Sequence, residues 1–176
     1  MTDSDDARVV PVDTDEAGPR ARRNIPLPLV LVVAATIVVL DQLTKWWALS
    51  ALGDGHTVSV VWTLRFNLTF NSGMAFSRGQ GLGPIIGVLA FVVVIVLVGS
   101  LARTAVGVAR IAVGLVIGGA VGNLCDRFFR SGGGFLRGRV IDFVDLQWWP
   151  VFNVADSAIV IGGVLLFLGS IRHSRA

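Results

Sequence analysis

The chain has 176 residues, of which 53% are hydrophobic and 15% are charged, and its formal net charge is +3. Soluble domains average about 25% charged residues, so the composition argues against a soluble domain and indicates a single-domain integral membrane protein. The basic residues are scattered between apolar runs, which argues against a nucleic-acid-binding protein. One cysteine, Cys125, and two histidines cannot complete a structural zinc site or an intrachain disulfide. We expect no metal and no cofactor, although a site built from carboxylates stays open.

Residues 1–24 are polar and carry charges of both signs. A segment of this kind cannot bury a core, so we expect a disordered cytoplasmic tail. It is too acidic for a signal-peptide n-region, and no small-residue cleavage site follows a short apolar segment, so the next helix is better interpreted as a signal anchor. Residues 25–176 then form one integral-membrane domain.

Four segments are apolar over about the 20 residues that a transmembrane helix needs. They are about residues 27–49, 83–102, 106–126 and 152–171. Arginines precede the first segment, separate the second from the third, and follow the fourth: Arg20, Arg22 and Arg23, then Arg103 and Arg110, then Arg172 and Arg175. Because cytoplasmic flanks are enriched in positive charge, both termini are expected to be cytoplasmic. The opposite loops also contain arginines, so the charge pattern alone does not establish the orientation in the membrane.

The first outer loop shows an alternating pattern. From Val58 to Phe70 every second residue is apolar, and Val61 is the one exception. A period of two over this length predicts a half-buried strand. Its apolar face needs cover, so we expect a small strand or sheet on the outer membrane surface.

Polar residues also occur within or beside the apolar spans. Asp41 and Lys45 lie four residues apart near the outer end of the first span and can pair on one helix face. They form either a structural ion pair or a partner for a substrate or lipid headgroup. Asn71 and Gly73 follow the predicted strand and indicate either a turn or a loop that binds a peptide.

The third span contains Gly114, Gly118 and Gly122, a spacing that lets membrane helices approach closely. The simplest interpretation is packing. The same helix delivers a polar group to its outer end, comprising Asn123, Asp126 and Arg127. A salt bridge between Asp126 and Arg127, together with a helix cap, is one explanation of that group.

The stretch from Val140 to Ser157 carries three carboxylates beside apolar segments: Asp142, Asp145 and Asp156. Ionisable groups at the edge of hydrocarbon are costly and often functional. Asp156 follows Pro150 and Asn153, so it is expected in the first turns of the fourth helix, where the helix dipole favours negative charge. Helix capping could explain Asp156, but Asn153 is the better-placed cap. Two such carboxyl groups that meet would share a proton, as in an aspartic peptidase.

Pattern alone leaves other functions open, because paired acids in membranes also serve proton relays and ion pathways, and a purely structural role needs neither acid. The acids cluster at one membrane face, and the second span contains no charged residue, which favours surface chemistry over conduction. Cys125 lies in an apolar helix, where a lone cysteine usually packs as a small hydrophobe.

Five motifs together resemble one family, bacterial lipoprotein signal peptidase, also called signal peptidase II. They occur in the family's order and span the chain except for the tail. The motifs are Asp41-Gln-Leu-Thr-Lys45, Asn71-Ser-Gly-Met-Ala-Phe-Ser77, Gly118-Gly-Ala-Val-Gly-Asn-Leu-Cys-Asp-Arg127, Val140-Ile-Asp-Phe143 and Phe152-Asn-Val-Ala-Asp-Ser157.

The resemblance implies a membrane α-helical fold with four transmembrane helices and a small extracytoplasmic β-cradle. It implies that Asp142 and Asp156 form a catalytic dyad. The supporting residues that it implies are Asp41, Lys45, Asn71, Gly73, Ala75, Asn123, Asp126, Arg127, Asn153 and Ala155.

The implied substrate is a prolipoprotein whose cysteine carries diacylglycerol, cut on the N-terminal side of that cysteine. The implied location is the bacterial cytoplasmic membrane, with the active site near the extracytoplasmic face. Membrane lipids are the other expected partner, and the chain is expected to be a monomer. The chain departs from the family pattern in the Gly- and Arg-rich loop at 128–139, in the short Leu-Gln-Trp-Trp-Pro connection, and at Phe70, where an arginine is common.

Overall fold

A computed structural model describes residues 27–73, 83–100, 107–130 and 135–173. The predicted tail, Ala75 and the glycines at 132–134 lie outside these ranges. Four helices and three strands follow one another as α1 (Leu27–Leu52), β1 (Val58–Val61), β2 (Leu64–Asn71), α2 (Gly83–Ser100), α3 (Val108–Phe129), β3 (Val140–Asp145) and α4 (Val154–His173). The four helices begin and end within a few residues of the predicted spans.

Three of the helices are long and apolar enough to cross a membrane: Pro28–Leu52, Val108–Phe129 and Val154–Ile171. The remaining helix, α2, is apolar but shorter. Large apolar side chains on the outer faces are widely exposed, among them Val32 on α1, Val96 on α2 and Phe167 on α4. Such a surface suits hydrocarbon, since soluble proteins rarely expose apolar patches of this extent.

Helix α3 is the centre of the bundle and packs against α1, α2 and α4. A Cβ added at Gly114 would lie 2.8 Å from the Val33 side chain of α1, and one at Gly118 would lie 2.7 Å from the Ala34 backbone oxygen. Only glycine permits these approaches, so the predicted packing role of the glycine row is confirmed. The interface is filled by a core cluster of Val30, Ala34, Val113 and Ile117.

The alternating stretch after α1 forms two strands of a small sheet, which confirms the expected strand or sheet; its division into a hairpin was not predicted. Strands β1 and β2 pair antiparallel, with Val61 opposite Leu64, around a turn at Trp62 and Thr63. The register shifts by one residue between Ser59 and Val61. A shift of this kind turns Val61 to the face of Val58, because side chains alternate along a strand. Val61, the exception to the alternation, therefore marked the irregular position.

A third strand completes an antiparallel sheet in the order β1-β2-β3. This sheet packs on the last turns of α1. The Trp47 ring lies edge-on to Phe66 at 5.1 Å and to Phe143 at 6.0 Å between ring centroids. Ala48 and Leu52 of α1 and Ile141 of β3 are fully buried in this contact. The sheet is thereby fixed at the end of a membrane-spanning helix.

Candidate active site

Asp142 lies on β3 and is only 2% exposed. Both of its oxygens accept hydrogen bonds from asparagines: Asn71 Nδ2 on β2 donates to Oδ2 at 3.0 Å, and Asn153 Nδ2 donates to Oδ1 at 2.6 Å. Burial, reinforced by the negative charge of Asp156, raises the pKa of Asp142 to about 7 despite these two hydrogen bonds. A carboxyl group with this pKa can hold or release a proton at neutral pH.

Asp156 stands in the first turn of α4, and Asn153 caps that helix as predicted. The Asp156 backbone amide donates to Asn153 Oδ1 at 2.9 Å, while the Asn153 amide donates to Asp156 Oδ2 at 3.3 Å. This reciprocal pattern is a capping box. The other oxygen, Oδ1, accepts a 2.8 Å hydrogen bond from Asn123 Nδ2 of α3. Two helices therefore fix the position of the Asp156 carboxylate.

Asn153 connects the two carboxylates. Its side-chain amide donates to Asp142, and its backbone amide donates to Asp156. Trp148, Trp149 and Pro150 form the short connection that brings β3 back to the start of α4, and within it Phe152 pairs with Val144 of β3. The fold thus brings together the two acids that the sequence proposed as a pair.

The buried ammonium group of Lys45 contacts Asn123 on the side away from Asp156. Lys45 Nζ contacts Asp41 Oδ2 at 2.8 Å, Asp126 Oδ2 at 2.8 Å and Asn123 Oδ1 at 3.0 Å. The side chains of Lys45, Asp41 and Asp126 are all fully buried. The predicted ion pair of Asp41 and Lys45 is confirmed. Its extension to α3 was not predicted.

Asp126 does not form the predicted pair with Arg127 in the part of the chain that the structure describes. Its ion pairs go to Lys45 and to Arg130, whose Nε lies 2.7 Å from Asp126 Oδ1. The reason is helical geometry: Arg130 is four residues on and shares the Asp126 face, whereas adjacent side chains diverge. Asp126 Oδ2 also accepts from the backbone amide of Ile141 at 3.2 Å, which ties α3 to β3.

Gln42 belongs to this network, although the sequence interpretation passed over it. Its Nε2 lies 3.1 Å from Asp41 Oδ2, 3.1 Å from the Gly122 backbone oxygen and 3.3 Å from Asp126 Oδ1. It therefore links α1 to α3. The sequence could have indicated this role, because a polar amide inside an otherwise apolar span needs hydrogen-bond partners. Beside it, Asp41 Oδ1 accepts from the Ala155 backbone amide at 3.0 Å, which brings α4 into the same network.

A cleft of about 240 Å³ opens beside Asp156. Its polar end includes Asn71, Asn123 and Arg127, and its apolar walls come from three helices. The wall residues are Ile86 and Ala90 of α2, Ala120 and Leu124 of α3, and Ile159 of α4. Arg127 is 6% exposed, and its Nη1 is buried without a hydrogen-bond partner among the described residues. The cleft therefore joins a polar site to an apolar slot.

Asn71 and Gly73 form the turn that one of the two interpretations of their motif predicted. The Gly73 amide donates to Asn71 Oδ1 at 2.9 Å, which makes a turn, and Gly73 has a φ of 124°, a value that favours glycine. The same asparagine reaches Asp142, and both residues line the cleft. Ala75, the third residue of that motif, is not among the described residues.

Asp145, the third carboxylate of the stretch, lies apart from this cluster. It accepts from Arg65 Nε at 2.7 Å, from Asn67 Nδ2 at 3.3 Å and from the Gln147 amide at 2.7 Å. Burial alone would raise the pKa of Asp145, but these three hydrogen bonds outweigh it and hold the pKa below its usual range. Asp145 is thus an ionised group that fastens β3 to the hairpin.

Comparison with known proteins identifies the family. Residues 33–172 match the family model described as "Signal peptidase (SPase) II". The chain is 40% identical over 164 residues to the lipoprotein signal peptidase of Mycobacterium tuberculosis strain H37Rv. This match covers 90% of this chain and 81% of that protein. It is 42% identical over 170 residues to the lipoprotein signal peptidase of Mycolicibacterium smegmatis, covering 94% of this chain and 72% of that protein.

A solved structure described as a bacterial membrane enzyme shares the fold, with a TM-score of 0.74 and 25% sequence identity. The match covers 84% of this chain and 90% of the other. Together with the apolar helices, these similarities show a multi-pass bacterial membrane protein. The chain therefore belongs to the signal peptidase II family and is a membrane peptidase.

Proposed function

We propose that this chain is an aspartic endopeptidase that removes the signal peptide from diacylglyceryl-modified prolipoproteins, cutting on the N-terminal side of the lipidated cysteine. One observation carries the proposal: Asp142 and Asp156, from different elements, are hydrogen-bonded to the same Asn153, and Asp156 lines a cleft with both polar and apolar lining residues. The names of the family and of its curated relatives support the substrate class.

In the proposed mechanism the two carboxyl groups share one proton, because neighbouring like charges resist double ionisation. The ionised carboxylate takes a proton from water while the water oxygen attacks the scissile carbonyl carbon. The protonated carboxyl gives its proton to the carbonyl oxygen. Collapse of the tetrahedral intermediate breaks the C–N bond: the proton taken from water passes to the leaving nitrogen, and one hydroxyl of the intermediate returns a proton to the carboxylate that had given its own to the carbonyl oxygen. Neither a metal nor a covalent intermediate takes part.

The surrounding amides orient the dyad. Asn71, Asn123 and Asn153 donate to the carboxylates, so they select the rotamers of Asp142 and Asp156. The supporting residues act around the dyad: Lys45 contacts Asn123, Asp41 accepts from the Ala155 amide, and Asp126 pairs with Lys45. Gly73 and Arg127 line the cleft that receives the substrate, and Ala75 is proposed as a supporting residue on the family motif alone.

We further propose that the substrate enters from the bilayer. The cleft walls beside Asp156 are apolar, and α2, α3 and α4 each contribute to them. The apolar part of a signal peptide and the acyl chains of the modified cysteine can stay within this slot and the surrounding lipid. The scissile bond then reaches the polar end, where Asp156 and Asn123 lie.

In the proposed topology α2 is the fourth membrane span, and both termini face the cytoplasm. The sheet and the dyad then lie at the extracytoplasmic face of the cytoplasmic membrane. Arg137 and Arg139, both exposed, face lipid phosphates, which accounts for positive charge on that side. The protein acts as a monomer.

The proposal is tested by incubating the purified chain with a lipidated precursor and with the same precursor before diacylglyceryl transfer, followed by mass spectrometry. The expected result is loss of the signal-peptide mass from the lipidated precursor only. An unchanged mass for the lipidated precursor contradicts the peptidase assignment. Equal cleavage of both precursors contradicts the proposed substrate.

A further inference from the structure

Trp62 stands at the tip of the β1–β2 hairpin and is 93% exposed. Its backbone adopts a φ of 48°, in the left-handed region that bulky residues rarely occupy. Glycine or asparagine would fit this turn with less strain. The hairpin therefore presents a large apolar ring at a position where folding alone favours a different residue.

The strand beside Trp62 is also apolar and exposed. Val60 and Val61 are 50% and 66% exposed, and β1 is an edge strand of the sheet. An exposed apolar edge in water invites aggregation, and natural proteins usually protect such edges with charge. Residues 58–64 contain no charged residue. This edge is consequently unsuited to water.

A second connection lies against the same end of the sheet. Gln147 Nε2 donates to the Thr63 backbone oxygen at 2.9 Å, so the segment after β3 is tied to the hairpin turn. That segment carries Trp148 and Trp149, which are 69% and 57% exposed. Residues 146–153 contain no charged residue either. Trp62, Trp148 and Trp149 form what we call the tryptophan rim.

The position of the sheet decides what covers this rim. β2 and β3 pack on the final turns of α1, a helix that is long and apolar enough to cross the membrane, through Trp47, Phe66 and Phe143. Trp46, on α1, is 67% exposed. The strand that follows Trp62 is therefore held against the last turns of a helix with lipid-facing side chains, at the membrane boundary of that helix. Tryptophan favours that boundary, where its ring is in the apolar layer and its N–H reaches water.

We infer that the tryptophan rim is a lipid-binding surface, and that Trp62 inserts into the headgroup–acyl boundary of the bilayer that α1 crosses. The hairpin is then held at both ends of β2. Lipid and the Arg65–Asp145 ion pair hold the end near the turn, and the Asn71–Asp142 hydrogen bond holds the other. The inference rests on the membrane span and not on peptidase activity.

The test measures the depth of a spin label in vesicles of phosphatidylethanolamine and phosphatidylglycerol. The full chain carries Cys125→Ser, so that a single cysteine can be labelled, and Trp62→Cys places the label at the tip. Asp54→Cys is the matched control, because Asp54 lies in the connection between α1 and β1 and its side chain is 71% exposed. Thermal unfolding of each variant establishes that it is folded, independently of activity.

We expect the label at residue 62 to be relaxed by oxygen, which partitions into lipid, and the label at residue 54 by a water-soluble nickel chelate. Relaxation of both labels by the chelate would overturn the inference. A label at residue 62 that is shielded from both reagents would also overturn it, because a second protein copy would then cover the tip.

Trp62→Ser without a label provides a second measurement. It should lower the absolute tryptophan fluorescence intensity that brominated lipids quench, and an unchanged quenched intensity contradicts insertion.

Discussion

Lys45 Nζ lies 3.0 Å from Asn123 Oδ1, and this contact decides which end of the Asn123 amide faces Asp156. An ammonium group can only donate hydrogen bonds. Asn123 Oδ1 must therefore face Lys45, and Nδ2 is left to donate to Asp156 at 2.8 Å. The three N–H bonds of Lys45 match its three acceptors, Asp41, Asp126 and Asn123. A charge on α1 thus orients a group on α3 that holds the proposed catalytic residue on α4.

Replacement of Lys45 by methionine should impair both stability and turnover. The change leaves Asp41 and Asp126 buried without their shared counter-ion, and breaking a buried pair costs about 3–5 kcal/mol. Asn123 Oδ1 then keeps only the 3.2 Å hydrogen bond from Asn153 Nδ2, which weakens the hold of Asn123 on Asp156, so kcat should fall more than KM rises. Thermal unfolding in detergent and steady-state cleavage measure the two effects.

Arg130→Gln is the matched control for that change, because Arg130 also pairs with Asp126 but its side chain is 28% exposed. Partly exposed ion pairs contribute about 1 kcal/mol or less. A small loss of stability and nearly unchanged turnover are expected. If both substitutions produce equal losses, Lys45 has no special role.

Cleavage should decline as the pH rises through about 7. The pKa of Asp142 is raised to about 7 by burial and by the charge of Asp156, so the proton that the dyad shares is present below this pH and lost above it. The loss removes the group that protonates the substrate carbonyl. A pH profile of kcat/KM between pH 5 and 9 measures this decline, which is the alkaline limb of the profile. A flat profile across pH 7 contradicts the assignment.

The replacement Asn71→Leu should move that limb to higher pH. Asn71 donates to Asp142 Oδ2 and favours the ionised form, so its removal raises the pKa of Asp142 further. Comparison of the two pH profiles isolates this effect from a general loss of activity. A limb that stays in place or moves to lower pH would show that Asn71 does not act on Asp142.

Gly119→Ala should destabilise the protein and lower its activity. A Cβ at Gly119 would overlap the backbone oxygen of Ala155, so α4 and its Asp156 would have to move away from α3. Gly163→Ala is the control, since a Cβ there meets nothing within 4 Å. In a helix, alanine is favoured over glycine by about 1 kcal/mol. The control should therefore be neutral or stabilising in thermal unfolding, and equal destabilisation of both variants contradicts the packing explanation.

The sequence predicted those parts of the molecule that local periodicity and spacing control. Apolar runs gave the four helices, and the i, i+4 spacing gave the Asp41–Lys45 pair. The position of Asn153 before α4 gave its cap. In each case the partners lie within one turn of helix or one connection, so neighbouring residues determine the contact.

Contacts between distant elements could not be predicted in this way. Lys45 meets Asn123 across 78 positions of sequence, and Gln42 meets Asp126 across 84. Such contacts depend on how closely α1 approaches α3, which Gly118 and Gly122 allow but do not specify. The expected strand or sheet did not locate the hairpin turn for another reason: the two strands keep the alternation on both sides of a two-residue turn, so periodicity alone does not show where one strand ends.

The central claim is that Asp142 and Asp156, and not Asp145, carry the reaction. The most direct measurement is the single-turnover cleavage rate of a lipidated precursor by purified Asp142→Asn, Asp156→Asn and Asp145→Asn. General acid–base groups contribute about 10²- to 10⁴-fold, so the first two variants should lose at least about a hundredfold while remaining folded. Asp145→Asn should retain most of the activity, since the contacts that it weakens, with Arg65 and Asn67, lie apart from the dyad. Full cleavage by either of the first two variants, or an equal loss in all three, would contradict the dyad.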